Sequence, residues 1–121
     1  MNTQIKLTYN DVKYTLEYNR IAIKMLEKAG FVLDEFLSKP MLSIDLAFSA
    51  AFIKNHPKVS QETVDEIYKL CKDKESLVKT LHTMITECYD SLLADPDEDA
   101  SDEKNIEWEV IDLSPKKTSQ K

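Results

Sequence analysis

One glycine, Gly30, stands in a chain of 121 residues, and that scarcity constrains the fold more than any other feature. Glycine takes positive φ without steric cost and lets a backbone approach a phosphate closely. P-loop and dinucleotide-binding loops need several glycines at short spacing, so both classes are excluded. Tight turns must come from Asn and Asp, which tolerate left-handed angles.

The first eighteen residues supply such a turn between two strands. Ile5, Leu7 and Tyr9 alternate with Lys6 and Thr8, and Val12, Tyr14, Leu16 and Tyr18 alternate with Lys13, Thr15 and Glu17. Period two, twice, with Asn10-Asp11 between, predicts a β-hairpin closed by a two-residue turn. A lone hairpin is marginal in water, so its apolar face must lie on other elements.

Helical spacing follows. Asn19 is a candidate N-cap for Ile21, Ala22, Met25, Leu26 and Ala29, with Gly30 as the left-handed C-terminal residue and Phe31 as its hydrophobic contact. A short helix is predicted over Leu33–Leu37, ending before Pro40. Ser43 is a candidate cap for a helix running through Ile44, Leu46, Ala47, Phe48, Ala50, Ala51, Phe52 and Ile53. Apolar on all sides, that helix must be buried. Ser60 opens a helix with the stripe Val64, Ile67, Tyr68 and Cys71. After a break near Asp73, Leu77, Val78, Leu81, Met84, Ile85, Cys88, Tyr89 and Leu92 line one side of the last helix.

Charge divides the chain. Residues 1–94 carry 12 basic and 13 acidic groups, whereas 95–121 carry 4 and 9. Residues 1–94 therefore read as one domain, 95–105 as an acidic flexible linker, 106–113 as a strand or a partner-docking motif, and 114–121 as disordered. In the third segment Ile106, Trp108 and Val110 alternate with Glu107 and Glu109. The expected fold class is α+β, mostly helical: an N-terminal hairpin on a bundle of four to five helices, with a disordered acidic tail. A net charge of −6 opposes general binding to nucleic acid or to an anionic membrane, both of which need clustered Lys and Arg. The sequence has neither a long apolar span nor a basic region followed by an apolar stretch, so an intracellular location is expected.

No constellation announces chemistry. Cys71 and Cys88 fall on apolar stripes and read as packing residues. Two cysteines without histidines at ligand spacing do not make a metal site. His82 and Cys88, six apart on one helix, are turned away from each other, and His56 precedes Pro57 in a turn. Asp65, Glu66, Glu87 and Asp90 read as solvated charges, partly paired with Lys69, Lys72 and Lys79. The expectation is a protein without enzymatic activity, cofactor or metal.

The order Ile5-x-Leu7-x-Tyr9-Asn10-Asp11-x-x-Tyr14-x-Leu16-x-Tyr18-Asn19-Arg20, then Lys28-Ala29-Gly30-Phe31, then helices and an acidic tail, resembles the small tail assembly chaperones of long-tailed bacteriophages and prophages over the first 95 residues or so. The resemblance implies a non-enzymatic chaperone in the bacterial host cytoplasm, absent from the mature virion. Such a chaperone keeps the long helical tape measure protein soluble and helps recruit tail tube subunits. It also implies a longer product made by ribosomal frameshifting near the gene's end, and A-rich codons for Lys116-Lys117 would suit that slippage. Aromatic residues dominate interface energetics, so Tyr14, Tyr18, Phe31, Phe36 and Trp108 are the candidate contacts with the tape measure protein, the tail tube protein or a second copy. The competing reading is an acidic regulatory adaptor or inhibitor that binds a basic protein.

Overall fold

The computed structural model describes residues 3–95 and 106–111. Two strands, β1 (Ile5–Tyr9) and β2 (Val12–Leu16), precede five helices: α1 (Arg20–Lys28), α2 (Leu33–Phe36), α3 (Pro40–Ala50), α4 (Gln61–Leu70) and α5 (Lys74–Leu93). The architecture is α+β and mostly helical.

The strands pair antiparallel, with Ile5 opposite Leu16, Leu7 opposite Tyr14 and Tyr9 opposite Val12. Asn10 and Asp11 both take positive φ, 51° and 64°, as a primed two-residue turn demands. The hairpin's inner face, including Ile5, Leu7, Tyr9 and Tyr14, packs on the core, and Leu16 is fully buried. Thr3 ties the chain before β1 to α5: its N–H and hydroxyl donate to the two carboxylate oxygens of Glu87, at 2.9 and 3.0 Å.

α1 forms with both predicted caps. The Asn19 side chain accepts from Ala22 N–H at 2.9 Å. At the other end Gly30 (φ 93°) lets its own N–H reach Glu27 O and the N–H of Phe31 reach Leu26 O. The buried Phe31 ring closes this C-terminal motif.

α3 is the hub and packs against α1, α2, α4 and α5. It begins three residues before the predicted Ser43, with Lys39 as N-cap and Pro40 in the first turn, and Ser43 is buried inside it. A proline that stops one helix can equally start the next, because its missing N–H is one that a first turn leaves unpaired. The helix also ends at Ala50 rather than continuing through Ile53. Residues 51–55 tighten into turns, with Phe52 N–H bonding Ser49 O and Ile53 N–H bonding Ala50 O, while Ala51 O accepts from Glu17 N–H at 3.1 Å. The carbonyl that would extend the helix is committed to the hairpin.

Around α3 lie the largest buried side chains: Phe36, Phe48, Phe52, Leu16, Leu26, Leu81 and Ile85. Phe48 meets Phe52 and Tyr68 edge-on at centroid distances of 5.2 and 5.4 Å, and Phe52 meets Tyr14 at 5.8 Å. Such pairs add to the burial energy. Tyr18 lies in this core, its hydroxyl donating to Ala47 O at 2.6 Å, and burial pushes its phenol well above the ordinary range.

α4 and α5 are capped by Ser60, which accepts from Thr63 N–H, and by Asp73, which accepts from Ser76 N–H. Asp73 itself is left-handed, φ 54°, making the sharp break between them. α5 buries Leu81, Met84 and Ile85, but its last turn leaves Leu92 and Leu93 exposed. Residues 106–111 take no regular structure. The linker beyond Asp95, residues 112–113 and the end 114–121 lie outside the described residues.

Candidate protein-docking surface

The predicted contact residues separate sharply. Phe31, Phe36 and Tyr18 are buried, at 5, 0 and 8% exposure. Phe31 and Phe36 pack edge-on at 5.4 Å, so these three hold the fold rather than a surface. Tyr14 is half-buried between Phe52 and His56. Trp108 is 81% exposed, in a segment where Ile106, Val110 and Ile111 are exposed too.

The concave surface is elsewhere. A groove of about 420 Å³ runs between α1, α3 and the segment leading into α4. Met25 of α1 and its C-cap Ala29, Leu46 of α3, Ile53 of the turn that follows, Val59, and Val64 of α4 give it an apolar lining. Asp45, Ser49, His56 and Gln61 are its polar members. Gln61 joins α4 to α3 there, its amide donating to Ser49 Oγ at 3.0 Å. The groove lies where α3 presents Leu46 between Asp45 and Ser49 and where the amphipathic α1 turns Met25 outward. The inner stripe of α1, Ala22, Ile23 and Leu26, enters the core, whereas Ile21 and Met25 remain exposed. Met41 and Leu42, at the start of α3, are exposed as well. Helical spacing alone puts α1's apolar residues on a single core face, and the signal for the groove is Met25, which widens that stripe beyond what the core covers.

A second cleft, of about 200 Å³, has Thr3, Glu17, Lys54 and Glu87 among its lining. Glu17, Lys54 and Glu87 already have partners within the protein. Glu17 pairs with Lys54 Nζ at 3.1 Å and accepts from Asn55 Nδ2 at 2.9 Å, and these contacts, Asn55 foremost, hold its carboxyl below the usual range. Glu87, read from sequence as a solvated charge, receives both bonds from Thr3.

The thiols of Cys71 and Cys88 are free, half-buried and packed against the core. Burial pushes both up, away from the thiolate form that nucleophiles and metal ligands require. Among the described residues no three His, Cys, Asp or Glu side chains gather to hold a metal. His56 has a structural partner that its position in sequence did not reveal: its Nε2 accepts from Thr15 N–H at 3.0 Å. His82 lies beside Phe36, at 6.2 Å between ring centroids.

Fold and surface together define a small α+β domain, a hairpin on five helices, with an apolar groove between two of them. The chain belongs to a family described as a domain of unknown function, DUF5055, matched over residues 1–111. No curated protein and no solved structure matches it.

Proposed function

We propose that this protein is a non-enzymatic phage tail assembly chaperone of the host cytoplasm, binding and solubilising the tape measure protein and helping to recruit tail tube subunits. The observation that supports the reading most directly is the apolar groove between α1 and α3, with Met25 and Leu46 in its lining. Grooves between helices accept the apolar face of an amphipathic helix, and methionine adapts to varied side chains better than branched residues do. A long helical client offers such faces repeatedly. The negative net charge would lend solubility to a client covered by many copies.

The test is co-expression with the longest helical protein encoded immediately downstream, followed by size-exclusion chromatography with mass determination. A soluble complex holding several copies of this chain, from a client that precipitates alone, is the expected result. Met25→Glu, which places a charge in the groove, should return the client to the pellet. A client that stays insoluble beside the wild-type chain overturns the reading.

A further inference from the structure

The two edges of the hairpin are treated differently. Along the outer edge of β2, Thr15 N–H donates to His56 Nε2 and Asn55 Nδ2 donates to Thr15 O, at 3.0 and 3.1 Å. One residue past the strand, Glu17 N–H bonds Ala51 O. At Thr15 that edge is plugged by the turn after α3. Because the backbone of Thr15 points outward, so does that of Lys6 opposite it and, two residues on, that of Thr8. Among the described residues no third strand joins the sheet, and no hydrogen bond reaches the outward backbone groups of Lys6 or Thr8. Unpaired edges of this kind are templates for another strand.

The chain also carries a strand pattern without a sheet. Ile106-Glu107-Trp108-Glu109-Val110 has the five-residue length of β1 and the matching alternation. Laid beside β1 in the register that keeps apolar residues on one face, Ile106, Trp108 and Val110 extend the row Ile5, Leu7 and Tyr9, which is only half-buried. On the solvent face Glu107 and Glu109 fall beside Lys6 and Thr8, with Lys13 one strand further. Opposite charges on neighbouring strands are favourable. One glutamate meets Lys6 whether the strand runs parallel or antiparallel. The family match takes in this segment and stops at Ile111, which counts it with the domain rather than with the tail.

In the structure both halves of this match stand open in one chain: the β1 edge has no partner strand, and Trp108 is exposed. We infer that Ile106–Val110 of one copy adds as a strand to the β1 edge of a second copy. Each copy gives its segment and receives another's, so two copies that exchange segments reciprocally close as a twofold dimer, and copies that do not exchange reciprocally propagate head to tail. The contact requires no client and stands apart from the chaperone reading.

Trp108 is the sole tryptophan, so its fluorescence reports the pairing directly. With the full chain alone, dilution should carry its emission from blue-shifted to the solvent-exposed wavelength while the mass falls to that of a monomer. Trp108→Ser removes the exposed anchor and should raise the concentration for association on the order of tenfold or more. Thr8→Pro deletes one outward N–H while leaving the β1–β2 ladder, and should act likewise. To locate the contact, copies carrying Lys6→Cys should form a mixed disulfide dimer on oxidation with copies carrying Glu107→Cys if the strand runs parallel, or Glu109→Cys if antiparallel, all with Cys71→Ser and Cys88→Ala. Blue-shifted emission that persists at every dilution in a monomer would show pairing within one chain and overturn the inference. So would exposed emission at all concentrations, or association that leaves both the mixed disulfide and the effect of Trp108→Ser undetected.

Discussion

α1 and α3 lie against each other, yet they use their apolar residues in opposite ways. α3 buries Ile44, Ala47, Phe48 and Ala50 and touches four other helices. α1 buries Ala22, Ile23 and Leu26 but leaves Ile21 and Met25 in solvent. A helix packed against four others makes the fold even with Met41 and Leu42 exposed in its first turn, while one buried along a single stripe leaves apolar surface in solvent. The contrast teaches where a lesion should harm stability and where it should harm binding alone.

The strongest break is Phe48→Ala. Phe48 is 2% exposed and in ring contact with Phe52 and Tyr68, so its truncation should cost about 3–5 kcal/mol, seen as a large fall in the urea midpoint. For a domain of this size that approaches the whole stability. Tyr18→Phe keeps the ring and removes only the hydroxyl that bonds Ala47 O. A loss of about 1 kcal/mol is expected, because Ala47 O retains its bond from Ala51 N–H. The same denaturation curve would reveal a larger role if the loss matched that of Phe48→Ala.

A smaller effect should appear on the acid side. Glu17 has its carboxyl lowered by Asn55 and, further, by Lys54, so it stabilises the folded chain above the ordinary glutamate value of about 4.3. That contribution is lost as pH falls through the lowered folded value. Glu17→Gln should therefore flatten the decline of stability with acid, measured by urea midpoints between about pH 6 and 3. The smallest stability change is expected from Ile21→Lys, within about 0.5 kcal/mol, since the side chain is 62% exposed. A loss comparable to the core variants would erase the distinction between the two helices.

Local chemistry was readable and distant chemistry was not. Asn10-Asp11, Asn19, Gly30, Phe31 and Ser60 act on neighbours within a few residues, and the hairpin turn and three helix ends stand where those residues indicate. The start of α3 escaped because Pro40 suits both a stop and a first turn, and only packing chooses. Its end escaped because Ala51 O answers to Glu17, far back in the chain. For the same reason nothing near His56 or Glu87 announced Thr15 or Thr3 as partners. Of the candidate contacts, Phe31 and Phe36 were visible as aromatic but not as core, since burial depends on which helices close over them. The groove was legible only as an excess of apolar residues on α1, its shape being set by how α1, α3 and α4 meet.

The clamp between Thr3 and Glu87 spans 84 positions, and this orders events during synthesis. At a translation rate of about 5–20 residues per second, some 4–17 s separate the two residues. Through most of that interval the hairpin has been made while Leu81, Met84 and Ile85, which complete the core, are still to come. The nascent N-terminus therefore waits with its apolar face uncovered, and the making of the protein is the period in which it most resembles a client.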